Sequence, residues 1–322
     1  MSRKNLLSHA IRNIISTLGG SHLTREAYER TARKFSHFIH AAGYSHVVDV
    51  SFIAGKHLRE YIASRRTETD NVRTLQNEVA HLRAILRRGD RAAVADAPEL
   101  TNDQLGISGG SRVGKKTAWT YEEFARARET AIQTGRPGIA AMLRLEWVAG
   151  LRGNEAIHAR SDVLARWERE APGGSILVLE GTKGGRRRRV TLHDIDAAID
   201  AITEARAIAD RQGGFLVVRA NGLPSGGLEE ARNIYHSWAS RNHVMPHRAR
   251  YAFTQNQVNE YERRGLSRRE ADIAASLDLG HGPGRARYVR TVYGNPQRRR
   301  AAKTPTANDE VLGVHPAFYP IT

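Results

Sequence analysis

Apolar residues spaced by three and four positions recur along most of this chain, and this spacing is the feature that most constrains its fold. The clearest pattern is that of Leu75, Val79, Leu82 and Leu86. In the first hundred residues the spacing predicts helices over 6–18, from Ser21 or Thr24 onward, over 56–65 and over 71–88. The first hundred residues are therefore predicted to be a set of packed helices.

The rest of the chain adds one pair of strand-like segments to further helices. Thr120 and Glu123 have the spacing of a capping box, which predicts a helix start. Helical spacing then predicts helices over 139–151, 195–211, 228–241, 249–264 and 268–275, with a last short helix ending near Tyr293. Residues 175–179 and 189–192 resemble strands on either side of a Gly-rich turn. The predicted fold class is mainly α with a small antiparallel β-sheet.

Between these two regions the helical spacing is lost, from about residue 91 to residue 116. This stretch contains Pro98, the pair Gly109-Gly110 and Gly114, which are typical of exposed connections. We therefore predict a helical domain over residues 1–95, a linker over 96–117, a second domain over 118–300 and a C-terminal tail over 301–322.

The charge balance points to a polyanionic partner. Lys and Arg number 50 against 34 acidic residues, which gives a formal net charge of +16 and a pI near 10.6. A membrane partner is disfavoured because the sequence has neither a long uncharged apolar run nor a signal-peptide pattern. The chain has no cysteine, which excludes disulfides, thiolate catalysis and cysteine-ligated zinc and fits the reducing cytoplasm as its predicted location. No His-Glu-x-x-His pair occurs, so no metal site and no cofactor are predicted.

Four separate segments carry residues suited to chemistry. They contain, in chain order, Arg152 with Glu155, Lys183 at the predicted turn, His247 with Arg250, and His281 followed by Tyr288 and Tyr293. Each has an ordinary explanation when taken alone. Arg152 could pair with Glu155, Lys183 could be a solvated turn residue, and the histidines could cap a helix or end a turn.

Taken together, the four segments meet the requirements of one reaction. When a tyrosine oxygen attacks a DNA phosphodiester, negative charge develops on two non-bridging oxygens. Two arginines can each present forked N–H groups to those oxygens, which lysine cannot do. Histidines can move the tyrosine proton or hold the phosphate, and a lysine can protonate the departing 5′ oxygen. A phosphotyrosine bond would store the energy for rejoining without ATP.

This set resembles the signature of the tyrosine recombinases, in their integrase branch. Gly-Leu-Arg-x-x-Glu, a hairpin lysine, His-x-x-Arg and Leu-Gly-His occur here at residues 150–155, 183, 247–250 and 279–281. The resemblance implies that Arg152 and Arg250 bind the scissile phosphate with support from Glu155. It further implies that Lys183 is the general acid, that His247 assists proton transfer and that His281 holds a phosphate oxygen.

The resemblance also carries expectations about architecture and partners. The N-terminal helices look like the core-binding (SAM-like) domain of the family, so the two domains are expected to form a C-shaped clamp on double-stranded DNA. The chain would be a monomer away from DNA and a tetramer in the synapse, with accessory DNA-bending proteins as further candidate partners. The tail over residues 301–322 is expected either to dock on a neighbouring subunit or to be disordered.

The nucleophile is the one element of the signature that the sequence leaves open. At the position where most members of the family have the tyrosine, this chain has Arg290. Residues 282–285, Gly-Pro-Gly-Arg, look like a lengthened loop that would delay the nucleophile. We therefore prefer Tyr293, with Tyr288 as the alternative.

Two groups of arginines are candidates for DNA contacts. Arg73, Arg83 and Arg87 lie on the polar face of the predicted helix over 71–88, and Arg186, Arg187 and Arg188 follow the turn lysine. The alternative is that they are merely solvated charges.

The resemblance favours a site-specific recombinase of a phage or other mobile element. Three other functions stay open: relaxation of DNA as in type IB topoisomerases, regulation by a DNA-binding protein that has lost catalysis, and a basic architectural role.

Overall fold

The computed structural model describes residues 3–110 and 117–294, and the chain divides into two compact units, Met1–Ser111 and Arg112–Thr322. The predicted tail over 301–322 lies outside the described residues. No helix of the described part is long and apolar enough to cross a membrane.

The first unit is built from helices alone in its described part. Their bounds are α1 (Arg3–Thr17), α2 (His22–Ala41), α3 (Gly55–Glu68), α4 (Val72–Arg88) and the short α5 (Ala92–Ala95). Of the two predicted caps of α2, Ser21 is the one used, because its hydroxyl accepts a hydrogen bond from the backbone N–H of Thr24. The apolar stripe of α4 is buried, as its spacing predicted.

The first unit extends further than the helical spacing indicated. Leu100, Leu105 and Ile107 lie in the predicted linker, yet all three are buried in the core of the first unit. They sit on short turns rather than on a helix, so their apolar side chains follow no helical period. The loss of periodicity therefore marks the end of the long helices, whereas the compact unit ends near residue 111.

The second unit combines helices with one hairpin. Its helices are α6 (Tyr121–Gln133), α7 (Pro137–Ala149), α8 (Gly153–Ile157), α9 (Ser161–Glu170), α10 (Ile195–Arg211), α11 (Leu228–Arg241), α12 (His247–Arg263), α13 (Arg268–Asp278) and α14 (Ala286–Tyr288). The capping box of Thr120 and Glu123 is formed, as predicted. Helix α7 is buried on nearly every side and is the centre of this unit's core.

The hairpin consists of β1 (Ser175–Val178) and β2 (Arg188–Thr191), which pair antiparallel with Val178 opposite Arg188. The prediction of a mainly helical fold with a small antiparallel sheet is thus confirmed. Some details differ from the sequence analysis. Helix α9 and the short helices α5 and α8 were not predicted, and the last helix continues as a π-helical turn over Val289–Tyr293.

Candidate active site

The site forms where several elements of the second unit end. Helix α7 ends at Gly150, which has a φ of 55° and whose place no larger residue could take, because a Cβ there would collide with the ring of Phe253. Arg152 then caps the start of α8. Arg250 comes from the first turn of α12, and α13 ends at Leu279. Three chain segments that are distant in sequence, around residues 152, 250 and 279, thus meet at one point.

Three arginines surround one buried carboxylate at this point. Arg152 Nη1 donates to Glu155 Oε1 at 2.6 Å, and Arg188 Nη2 donates to Glu155 Oε2 at 2.7 Å. Arg250 Nη1 lies 3.9 Å from Glu155 Oε2. The side chains of Glu155 and Arg250 are wholly buried, whereas that of Arg152 is 19% exposed. We call these four residues the arginine cluster.

Backbone carbonyls at helix ends complete the coordination of the arginine cluster. The carbonyl of Leu279 accepts from Arg152 Nη2 at 2.9 Å and from Arg250 Nη2 at 2.7 Å. The carbonyl of Gly150 accepts from Arg250 Nη1 and from Arg188 Nη2. Carbonyls at the C-terminal end of a helix have no partner within the helix and carry partial negative charge. Together with the Glu155 carboxylate, these carbonyls therefore offset the positive charge of the three guanidinium groups.

The cluster changes the acidity of its members. Burial disfavours the charged form of Glu155, but the guanidinium groups of Arg188 and Arg250 outweigh it and lower the pKa of Glu155 to about 2. Burial and the neighbouring charges of Arg188 and Arg152 lower the pKa of Arg250 to about 10. Both groups are still charged at neutral pH. Within the described residues, Arg250 Nε is buried and has no hydrogen-bond partner.

Tyr293 lies beside this cluster, between the two predicted histidines. Its hydroxyl oxygen is 3.4 Å from His281 Nε2, and its ring centroid is 6.4 Å from that of His247. The ring also packs on Tyr251 with a centroid distance of 4.6 Å. The backbone carbonyl of Tyr293 accepts a hydrogen bond from Gln255 Nε2 at 2.9 Å, which fixes the last turn of the chain before residue 295.

His281 is held in its neutral form. Burial and the positive charges of Arg250 and Arg152 lower its pKa to about 3. A neutral imidazole has one donor and one acceptor nitrogen, so it can accept a proton from a hydroxyl or donate to a phosphate oxygen.

Tyr288 occupies a different place on the same segment. Its ring centroid is 5.5 Å from that of His281 and 5.9 Å from that of Tyr293, and the guanidinium of Arg285 lies 5.9 Å from its centroid. Its side chain is partly buried and packs against the core of the second unit.

Lys183 is exposed at the tip of the hairpin, in a short turn over Lys183–Gly185. Within the part of the chain that the structure describes, it makes no hydrogen bond or ion pair with the arginine cluster. The exposed Arg186 and Arg187 follow it on the same tip. The geometry thus leaves these three side chains free to reach a ligand.

For Arg188 the prediction of a phosphate contact is wrong. Its side chain is 1% exposed and belongs to the arginine cluster. The physical reason is the alternation of side chains along a strand: Arg188 and the buried Val190 lie on the same face of β2, whereas Arg189 points outward. That alternation is the signal in the sequence that could have identified Arg188 as buried.

The predicted DNA contacts of α4 differ in their surroundings. Arg73 is exposed and donates to Gln76, and Arg87 forms an ion pair with Asp96 in which both side chains are about half exposed. Arg83 is partly buried and donates to Asn102 and to the carbonyl of Leu100. The guanidinium of Arg83 therefore fastens a turn of its own unit.

The sequence analysis missed the roles of Asn154, Arg290 and Asp272 near the site. Asn154 donates to the carbonyl of Gly181 at 2.7 Å, next to the hairpin tip. Arg290 donates to the buried Asp272 at 2.7 Å and so ties the turn before Tyr293 to α13. Their roles depend on contacts between distant segments, for which the sequence has no local pattern. Among the described residues no group of His, Asp and Glu side chains could hold a metal ion.

Two family models and a curated relative match this chain. A family model described as integrase matches residues 106–256, and one described as phage integrase, N-terminal, matches residues 1–95. Tyrosine recombinase XerC of Mesorhizobium japonicum is 29% identical over 200 residues, which are 58% of this chain and 58% of that protein. The match thus spans less than two thirds of the relative.

Solved structures show the same fold. A lambda integrase tetramer bound to a Holliday junction matches with a TM-score of 0.56 and 16% identity, over 88% of this chain and 76% of that chain. The Tn1549 transposon integrase in complex with circular intermediate DNA matches with a TM-score of 0.58 and 14% identity, over 91% and 98%. Two family models, the XerC relative and these folds all lead to one assignment. The chain belongs to the tyrosine recombinase (phage integrase) family.

Proposed function

We propose that the chain is a site-specific DNA recombinase that cleaves and rejoins duplex DNA through a 3′-phosphotyrosine intermediate. The observation that carries the proposal is the position of Tyr293, whose hydroxyl lies against His281 at the edge of a buried arginine cluster. A phosphate held by guanidinium groups beside a tyrosine oxygen is the arrangement that this reaction needs.

In the first step the phosphate binds to the two arginines that have capacity for it. Arg152 is partly exposed, and Arg250 has a buried Nε without a partner. Their forked N–H groups would contact the two non-bridging oxygens, where charge accumulates in the transition state. Glu155 holds both side chains in place.

In the second step the Tyr293 oxygen forms a bond to phosphorus and the bond from phosphorus to the 5′ oxygen breaks. The proton of Tyr293 passes to a histidine, for which His247 is proposed, while His281 donates its N–H to a phosphate oxygen. Lys183 gives a proton to the departing 5′ oxygen. Attack of a 5′ hydroxyl on the phosphotyrosine reverses these bond changes, so no external energy source is required.

The same proposal covers binding and assembly. Residues 1–95 would grip double-stranded DNA, with Arg73 as a phosphate contact. Residues 118–300 would carry out the chemistry, with Arg186 and Arg187 as phosphate contacts at the hairpin tip. Exchange between two sites requires four protomers on two duplexes, and the solved lambda integrase is itself a tetramer bound to a Holliday junction. Integration or excision of a mobile element is the reaction that such an assembly performs.

The experiment is a covalent trapping assay on a nicked duplex prepared from the DNA that flanks the coding sequence. Cleavage next to the nick releases a short fragment and leaves the protein attached to labelled DNA, which migrates slowly on a denaturing gel. Tyr293→Phe should remove this species and leave the mobility shift of bound DNA unchanged, because only one oxygen is lost. Tyr288→Phe is the matched control and should retain the adduct.

Other results would lead to other functions. Loss of the adduct in Tyr288→Phe alone would assign the nucleophile to Tyr288. Binding without any adduct in the unsubstituted protein would favour a DNA-binding regulator over an enzyme. Relaxation of a supercoiled plasmid without exchange between paired sites would favour the type IB topoisomerase activity.

A further inference from the structure

The hairpin tip over residues 179–187 raises the question of how Lys183 could be held at a reacting atom. The lysine is exposed, and the tip's own contacts are few: Thr182 Oγ1 donates to the carbonyl of Leu179 at 3.2 Å. A flexible four-carbon side chain on a loosely held turn would be a poor proton donor, because proton transfer requires hydrogen-bond distance to its target. The tip must therefore be fixed at its ends.

At the entry to the tip Glu180 forms an ion pair with Arg166, and the contact that links the tip to α8 is made by Asn154. Its amide Nδ2 donates to the carbonyl of Gly181 at 2.7 Å, and its Oδ1 accepts from Arg232 Nη2 at 2.9 Å. Gly181 has a φ of 68°, and a Cβ at this position would collide with the backbone of Asn154. The start of the tip is thus pressed against α8, the helix that begins with Arg152 as its cap.

At the exit from the tip the fixed point is Arg188. Each of its three guanidinium nitrogens donates to an acceptor of the protein: Nε and Nη2 to Glu155, Nη2 also to the carbonyl of Gly150, and Nη1 to that of Asp278. A Cβ at Gly280 would lie 2.8 Å from Arg188 Cδ, so this glycine makes room for the arginine. With its donors engaged in this way, Arg188 is poorly suited to binding a phosphate itself.

We infer that Asn154 and Arg188 are positioning residues that hold Lys183 at the leaving oxygen, an inference that rests on the proposed function. Asn154 lies between Arg152 and Glu155 in the chain, and Arg188 binds Glu155 directly. Both ends of the tip are therefore connected to α8, whose Glu155 also binds the two arginines proposed to hold the phosphate. The position of Lys183 relative to the 5′ oxygen thus depends on these two contacts, which connect the tip to the arginine cluster.

Replacing the leaving oxygen by sulfur separates an effect on proton donation by Lys183 from an effect on phosphate binding. When the bond from phosphorus to the 5′ atom breaks, an alkoxide needs a proton at once, whereas a thiolate is a stable leaving group near neutral pH. A variant that has lost only proton donation should recover on a substrate with a 5′-bridging sulfur. A variant whose phosphate binding is damaged should stay slow on both substrates.

The experiment compares single-turnover cleavage of nicked duplexes with a 5′-bridging oxygen or a 5′-bridging sulfur. Asn154→Asp removes the amide donor to Gly181 and keeps the acceptor for Arg232, and Arg188→Lys keeps the charge and loses the forked contacts. With the 5′-bridging oxygen both variants should cleave roughly 10- to 100-fold more slowly than the unsubstituted protein. This loss does not exceed the lower limit of the ~10²- to 10⁴-fold contribution of a general acid, because Lys183 itself is still present. On sulfur both should come within roughly threefold of the unsubstituted protein, as should Lys183→Met.

Two controls accompany these variants. Asn242→Asp also removes an amide donor to a backbone carbonyl, that of Trp238, but lies at the end of α11, and it should cleave normally on both substrates. Arg152→Lys should stay slow on both, because it damages the phosphate contact. If Arg188→Lys does not fold, as judged by its circular dichroism, Asn154→Asp decides alone.

Equal losses of Asn154→Asp on oxygen and on sulfur would overturn the inference, as would normal cleavage of the oxygen substrate. Failure of the proposed function gives a different result, since the unsubstituted protein would then form no adduct with either substrate.

Discussion

Removing the charge of Glu155 tests whether one carboxylate and a few carbonyls hold the arginine cluster together. In Glu155→Gln the side chain keeps its size but no longer offsets three guanidinium groups. Arg188 and Arg250 are buried there and have no other carboxylate at ion-pair distance in the described part of the chain. Removing one partner of a buried ion pair typically costs ~3–5 kcal/mol.

The pKa of Glu155 gives a second value for the stability that Glu155→Gln should lose. A decrease from 4.5 to about 2 corresponds to about 3 kcal/mol of stabilisation at pH 7. Because the pKa is lowered in the folded state, this contribution is complete above pH 4.5 and is lost as the pH falls toward 2. The difference in the free energy of unfolding between the two proteins should therefore narrow to about 2 kcal/mol at pH 3.5.

Urea unfolding followed by tryptophan fluorescence measures this difference in the free energy of unfolding for the second structural unit, which contains Glu155. All four tryptophans, at 119, 147, 167 and 238, lie in the second unit, so their signal reports on that unit alone. Glu204→Gln is the matched control, because Glu204 also accepts from two arginines, Arg128 and Arg144, but is 26% exposed. That exposure should limit its loss to ~1 kcal/mol.

Either of two results would contradict this role of Glu155. One is a loss in Glu155→Gln no larger than that in the control. The other is a difference that stays constant between pH 7 and pH 3.5, which would mean that the lowered pKa of Glu155 is not the source of the stabilisation.

Two further predictions concern charge at and near the site. Arg152→Lys should bind DNA normally but cleave ~10²-fold or more slowly, because a lysine keeps the charge and loses the forked contact; near-normal single-turnover cleavage would exclude Arg152 as a phosphate ligand. Glu146 is fully buried, accepts from Tyr235 at 2.7 Å, and has its pKa raised by burial to about 8. The folded state therefore retains a proton that the unfolded chain releases, so this contribution to stability is complete below pH 4.5 and is lost as the pH rises to 8. Between these pH values the free energy of unfolding of the unsubstituted protein should fall by ~1 kcal/mol per pH unit because of Glu146, and Glu146→Gln should abolish this decrease. Identical pH profiles of urea unfolding for the two proteins would contradict this prediction.

Much of the fold was predictable because it depends on local patterns. The bounds of α10 and α11 agree with those predicted from spacing, since each helix buries one apolar stripe on a core. Helix α9 was missed although Val163, Leu164 and Trp167 lie on one face, because it is short and follows directly on α8. The extent of the first unit was missed because Leu100 and Ile107 are buried on turns, where no period applies.

Some features of the site were likewise predictable from the sequence, and others depend on the fold. The residues of the signature could be named from the sequence because their types suit the chemistry and their chain order resembles that of the family. The preference for Tyr293 over Tyr288 depended on the length of a loop, whereas the 3.4 Å between the Tyr293 hydroxyl and His281 Nε2 follows from the fold. Arg188 was misassigned because four consecutive arginines look alike in a sequence, whereas in a strand every second one turns inward.

The arginine cluster has a consequence for how its electrostatics can change in evolution. Part of its negative charge comes from the carbonyls of Gly150, Asp278 and Leu279, which are free only because α7 and α13 stop where they do. Lengthening either helix by one turn would use these carbonyls inside the helix and raise the net positive charge of the cluster, with every ionisable residue unchanged. In this protein, helix length is therefore as much a determinant of charge balance as the identity of any acidic side chain.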